Sequence, residues 1–180
     1  MTGRLIAVVG PSGVGKDTVM EAMAAAEPRL ALVRRVITRP ATSGGEVFDA
    51  VTPSEFETLH RNGAFALSWS AHGLSYGVPK AVHTSLDAGQ DMLANLSRKV
   101  LSLAQARFPG MAVISLTADA DILAGRLTAR GRETRADIAR RLARADTDLP
   151  QGLAVTRIDN SGALADTVHA ALAALYPVRA

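Results

Sequence analysis

Gly10-Pro11-Ser12-Gly13-Val14-Gly15-Lys16-Asp17 decides how the rest of the chain is read. An apolar run, Leu5-Ile6-Ala7-Val8-Val9, precedes it, and a helical pattern with Val19, Met20 and Met23 on one face follows. Strand, glycine loop and helix in that order, with G-x4-G-K spacing, form the signature of a phosphate-binding loop. Glycine tolerates backbone angles that a Cβ disfavours, so successive N–H groups can turn inward and form a concave anion site. The helix start adds unpaired donors and the positive end of its dipole. The pattern predicts that Gly10, Pro11, Ser12, Gly13, Val14, Gly15, Lys16, Asp17 and Thr18 surround a chain of phosphates. Lys16 is placed on the β- and γ-phosphates.

One position departs from the pattern. Such loops usually end in Ser or Thr, whose hydroxyl meets Mg²⁺; here Asp17 stands there and Thr18 follows. A carboxylate is a hard oxygen donor suited to Mg²⁺. The alternative is that Asp17 only favours the helix start electrostatically.

The 180 residues suffice for one domain with a real core, and 48% hydrophobic content marks a globular chain. There are no cysteines, which excludes disulfides and thiolate metal sites. No apolar run approaches a membrane span and no leader precedes the first strand, so the cytoplasm is the expected compartment. Net charge is +3, yet ten arginines crowd between Arg98 and Arg157. With only seven aromatic residues in the chain, this cluster lacks the stacking platforms of a nucleic-acid binder. A small phosphorylated substrate is the expected partner. Neither nucleic acid nor membrane is expected, and assembly is left as monomer or homodimer.

Further along, apolar runs and breakers alternate. Strands are expected at 33–37, 91–95, 112–117 and 154–158. Helices are expected at 17–26, 53–61, 80–88, 97–108, 119–129, 134–145 and 163–175. Thr52, Pro53 and Glu55 spell a capped helix start. Residues 65–71 and 74–77, joined by His72-Gly73, read as an antiparallel hairpin. The alternation predicts an α/β fold with a parallel core sheet between helix layers, a three-layer P-loop NTPase. The hairpin interrupts it and is expected to form a small separate lobe. His72 is read as a turn residue, and Trp69 as buried in that lobe or stacked on a ligand.

Several segments together resemble the guanylate kinase family, over nearly the whole chain. They are GPSGVGK in the loop, Thr38-Arg39 followed by Gly45-Glu46, and His72-Gly73-Leu74-Ser75-Tyr76-Gly77. Arg126 to Gly131 and Ile138 to Leu142 are similar to that family's lid, and Ile158-Asp159-Asn160 to the segment bordering adenine. The resemblance implies a nucleoside monophosphate kinase-like fold in one domain, 1–180. Its core would be 1–33, 78–129 and 147–180, its acceptor lobe 34–77 and its lid 130–146. It also implies ATP as phosphoryl donor with Mg²⁺. Arg130 and Arg141 would close over the γ-phosphate as catalytic partners of Lys16. Asn160 would lie near adenine. Arg39 would hold an acceptor phosphate, with Tyr76 and Arg98 helping.

The departures matter as much. Where this family reads guanine with a Glu, the present chain has Leu67, which cannot accept hydrogen bonds from a base. Where it carries an acidic pair, Leu93-Ala94-Asn95-Leu96-Ser97-Arg98 stands. GKD, ITRPA, GGE, AHG-x-x-YG and N-x-S-R together resemble one branch, the ribose 1,5-bisphosphate phosphokinases of bacterial phosphonate breakdown. That branch transfers phosphate from ATP to ribose 1,5-bisphosphate and yields 5-phosphoribosyl 1-diphosphate. Glu46, Asn95 or neither would then read a ribose hydroxyl; for Glu46 a loop-stabilising contact is the alternative. Two other readings stay open: a nucleotide kinase with altered base preference, and an inactive protein-binding module of the same fold.

Overall fold

The computed structural model describes residues 2–41, 46–130 and 149–177. The first strand, β1 (Leu5–Val9), is wholly apolar, and none of its residues is more than 1% exposed. Such a run suits the centre of a parallel sheet covered on both faces. It pairs on one side with β7 (Asp91–Asn95) and on the other with β8 (Ala112–Thr117), both in parallel. The sheet is completed by β2 (Leu30–Leu32) beyond β7 and β9 (Val155–Asp159) beyond β8, giving the order β2-β7-β1-β8-β9. Parity divides β1 between two cores. Leu5, Ala7 and Val9 face one, Ile6 and Val8 the other.

Helix α1 (Lys16–Ala26) buries Val19, Met20 and Met23 against the Ile6 and Val8 face. The same face is covered by α5 (Ala120–Arg130) and α6 (Leu164–Leu175) through Leu123, Val168, Ala171 and Leu175. The other face is covered by α3 (Val82–Asp87) and by a 3₁₀ turn (Arg98–Val100) that leads into α4 (Leu101–Arg107). A helix expected at 134–145 lies outside the described residues.

The expected strand at 33–37 is shortened to Val36–Ile37 (β3), which pairs in a second sheet, while Leu30–Leu32, not expected as a strand, joins the core sheet as its edge. The chain leaves the core sheet at Val33, whose N–H still bonds Leu93 O at 2.8 Å. The second sheet runs β4-β3-β6-β5, with β4 at Asp49–Ala50, β5 at Phe65–Ala71 and β6 at Leu74–Pro79. β5 and β6 are the expected hairpin, and His72 (φ 53°) and Gly73 (φ 75°) make its turn. Both take the left-handed angles that a two-residue hairpin turn requires. Helix α2 (Pro53–Arg61) opens with the expected capping box: Glu55 N–H donates to Thr52 Oγ1, and Thr52 N–H to Glu55.

The end of the core sheet remote from the glycine loop is closed by a polar cluster. Asp91, 7% exposed, accepts from the Arg4 backbone N–H at 2.6 Å, Arg4 Nη2 at 2.9 Å and the Tyr176 hydroxyl at 2.8 Å. Burial pushes the Asp91 carboxyl up, but the bonds from Arg4 and Tyr176 outweigh it and hold the group below its ordinary value. Burial, then the bond to Asp91, raises the Tyr176 phenol.

Candidate active site

The strand order places the carboxyl ends of β1 and β7 side by side, with Val8 in register with Asn95. Such an edge, where crossovers leave to opposite faces, is where open α/β sheets hold ligands. Beyond Val9 the chain enters the glycine loop. Gly13 (φ 84°) and Gly15 (φ 93°) are left-handed, and Gly15 forms the N-cap of α1. A Cβ on Gly13 would come within 3.0 Å of the Leu127 side chain, and one on Gly15 within 2.9 Å of Asn160 Nδ2. Both glycines are therefore required by angle and by space.

Val14, fully buried, anchors the loop, and its carbonyl is held from behind. Asn160 Nδ2 donates to Val14 O at 2.7 Å, and Arg126 Nη1 donates to it at 3.3 Å. Lys16 Nζ bends back across the loop and donates to Gly10 O at 3.0 Å and Pro11 O at 3.2 Å. The loop is thus preformed, with the lysine head over its mouth. This arrangement can accept anionic oxygens without building a new backbone conformation.

Asp17 lies next to Lys16 in the first turn of α1 and accepts from Asn95 Nδ2 at 2.9 Å. A carboxylate there, on a preformed phosphate loop, is chemically fit to serve Mg²⁺. Asn95 in turn gives its backbone carbonyl to Arg35 Nη1 at 2.6 Å. Arg35, only 5% exposed, also forks onto Glu46: Nε meets Oε2 at 3.0 Å and Nη2 meets Oε1. Its guanidinium carbon lies 5.2 Å from the Tyr76 ring centre and 5.8 Å from that of Trp69. Those two rings stack at 5.2 Å and 9°.

The expected residues therefore fall into distinct groups. Lys16, Asp17 and the loop are joined through Asn95 to Glu46 and Tyr76. Arg39 sits under Phe48, its guanidinium carbon 4.3 Å from the ring centre, and Arg98 begins the 3₁₀ turn after β7. The Arg130 side chain and Arg141 lie outside the described residues. Asn160, expected beside adenine, is 5% exposed and engaged at both ends of its side chain, by Val14 O and by the Thr167 hydroxyl at 2.7 Å. Its side chain braces the loop from behind. Glu46 turns both carboxylate oxygens to Arg35, the loop-stabilising alternative of its two readings. Trp69 is half-buried, packed against the core as well as stacked on Tyr76.

Arg35 and Arg126 are absent from the residues expected at the site. Parity does not single out Arg35 in Val33-Arg34-Arg35-Val36-Ile37, because Val36 is buried as well as Val33 and Ile37. Arg34 is exposed and pairs with Asp49 at 2.7 Å. Arg126 was read only within the lid-like stretch, and its partners are backbone carbonyls at Val14 and Asn160.

Comparison with known proteins bears on this geometry. No family model matches the chain. Among solved structures it is similar to the guanylate kinase of Anaplasma phagocytophilum, with a TM-score of 0.63 and 20% identity over 97% of this chain and 85% of that one. That likeness shows the fold: a guanylate kinase-like P-loop architecture. Among curated sequences it is similar to ribose 1,5-bisphosphate phosphokinase PhnN of Pseudomonas fluorescens (strain SBW25), 48% identical over 97% of this chain and 96% of that protein. It is also similar to the protein of the same name from Ruegeria sp. (strain TM1040), 49% identical over 99% of this chain and 94% of that protein. Near-half identity sustained from end to end leaves no part of the fold unaccounted for, and the chain belongs to the ribose 1,5-bisphosphate phosphokinase family.

Proposed function

We propose that this protein transfers the γ-phosphoryl group of ATP to the 1-phosphate of ribose 1,5-bisphosphate, giving 5-phosphoribosyl 1-diphosphate and ADP, in phosphonate breakdown. The observation that carries the reading is the continuity of the site. The glycine loop is joined through Asn95 and Arg35 to the Tyr76 and Trp69 rings of the second sheet, and this continuity supports reading the two as donor and acceptor ends of one site. The names of the full-length relatives supply the sugar bisphosphate.

An oxygen of the acceptor phosphate attacks the γ-phosphorus, and the bond from that phosphorus to the bridging oxygen of ADP breaks. The nucleophile is already anionic at neutral pH, so no side chain need take its proton. The protein must align two anions and offset their charge. Lys16 would release its two loop carbonyls for the β- and γ-phosphates, while loop N–H groups from Ser12 to Thr18 hold the rest of the chain. Asp17 would hold Mg²⁺, which would supply charge neutralisation for the transferring phosphates. In this reading residues 34–77 form the acceptor lobe, with Arg39, Tyr76 and Arg98 toward the sugar's phosphates. Residues 130–146 form the lid, carrying Arg130 and Arg141.

A coupled ADP-release assay with ATP and Mg²⁺, run with ribose 1,5-bisphosphate and with GMP, tests the reading. Turnover with the sugar and formation of 5-phosphoribosyl 1-diphosphate are expected. Turnover with GMP alone would replace it by a nucleotide kinase.

A further inference from the structure

We propose that Arg35 is a positioning residue that locks the aromatic acceptor wall to the phosphate loop, so that the two ends of the site move as one. It rests on the reading of the loop as the donor site. A guanidinium is planar, always charged and donates in a fixed fork, so one side chain can hold several groups at set angles. Arg35 touches three elements at once. Nε and Nη2 hold Glu46, at the end of the segment that follows β3. Nη1 holds the Asn95 carbonyl at the carboxyl end of β7. Its face lies against Tyr76 and Trp69 on the hairpin.

The next link leads to the chemistry. Fixing the Asn95 backbone fixes where its side-chain amide points, and that amide meets Asp17, the neighbour of Lys16. The path from the aromatic wall to the loop thus has two joints, Arg35 to Asn95 and Asn95 to Asp17, each a hydrogen bond under 3.0 Å. Pairing with Glu46 only partly offsets the cost of burying Arg35, so what the residue provides is geometry and not net stability. Lysine, with one ammonium, cannot meet Glu46 and Asn95 in the same fork.

Trp69 is the only tryptophan in the chain and sits on the acceptor side of Arg35, so its emission reports whether the wall senses the loop. With ATP and Mg²⁺ alone, wild-type Trp69 emission is expected to change on saturation. Arg35→Met should bind ATP with a Kd within about 3-fold of wild type by calorimetry, since the loop is braced separately by Asn160 and Arg126, yet lose the Trp69 response. Arg35→Lys should keep less than half of the response, and it serves as the readout if Arg35→Met does not fold. In turnover, Arg35→Met should lower kcat about 100-fold, the scale of a small misalignment. In an Asn95→Ala background the same change should cost less than about 3-fold, because the joint it acts through is gone. A silent Trp69 in the wild type, an undiminished response in Arg35→Met or Arg35→Lys, or additive losses in the double variant would overturn the proposal. If the wild type used no acceptor offered to it, the proposed function would fail, while the Trp69 titration would still decide the role of Arg35.

Discussion

The two ends of the core sheet use polar groups in opposite ways. At the amino end of β7, Asp91, Arg4 and Tyr176 satisfy one another and close on themselves. At the carboxyl end of β1, the side chains of Asn160, Arg126 and Lys16 all donate to backbone carbonyls of the glycine loop. The first cluster holds the fold and has nothing left to offer a ligand. The second holds the backbone shape of the loop by its carbonyls and leaves the N–H groups of the motif for an anion. Both ends are built on the same strands, so substitutions at each should separate stability from turnover.

The largest effect belongs to Lys16. Lys16→Ala removes the one side-chain cation that the loop motif aims at the β- and γ-phosphates. Loss of about 10³-fold in kcat, roughly 4 kcal/mol, is expected on the scale of losing a preorganised charge at a phosphoryl-transfer site. The fold should hardly notice. Lys16 donates to loop carbonyls at a part-buried position outside both hydrophobic cores, so the unfolding free energy in urea should stay within about 1 kcal/mol of wild type. Turnover within tenfold of wild type would mean that the loop's charge is carried by another group.

Asp91 should give the converse. Asp91→Ala strips Arg4 and Tyr176 of their shared partner, and breaking such a buried pair costs about 3 kcal/mol. ATP and acceptor KM should stay unchanged, because the cluster lies at the far end of the sheet. The sign of the pH dependence follows from the shifts. The Asp91 carboxyl is depressed in the folded state, so its contribution is present above its unfolded value near pH 4 and fades as pH falls through the lower folded value. The Tyr176 phenol is raised, so its contribution is complete below about pH 10 and fades only above that. Urea titrations of wild type and Asp91→Ala should therefore differ most near neutrality and converge in acid. A gap that persisted unchanged at pH 2 would show that packing, not charge, holds this end.

How much of this was legible in the sequence differs between the two ends for a physical reason. The glycine loop is local: strand, turn and helix are contiguous, and spacing alone announces it, as it does the Thr52 cap and the His72-Gly73 turn. The Asp91 cluster joins residues 4, 91 and 176, and nothing in any one stretch points to the others. The passage from the core sheet at 30–32 to the second sheet at 36–37 lay in between. Two adjacent arginines stand where the chain crosses, but the apolar residues on either side of them read as one strand. Arg35 gathers Asn95, Glu46 and Tyr76 from three separate stretches, and that gathering is visible only once the sheets are set side by side.

Asn160 sharpens the contrast because it belongs to both economies. It is as buried as Asp91, yet one end of its amide supports the loop and the other ties to Thr167 in α6. Asn160→Ala should cost about 2 kcal/mol of stability, for Val14 O and the Thr167 hydroxyl keep only longer bonds, to Arg126 at 3.3 Å and to Asp159 O at 3.3 Å. The less firmly held loop should raise the ATP KM about tenfold. Asn160→Asp separates size from chemistry. It fills the same volume but replaces the donor facing Val14 O with an acceptor, setting a carboxylate oxygen against a carbonyl oxygen. If hydrogen bonding to the loop is what matters, Asn160→Asp must be worse than Asn160→Ala in both stability and ATP KM. If Asn160→Asp proved the milder change, the residue would be filling space behind Gly15, and the loop's shape would rest on Arg126 and the buried Val14 side chain instead.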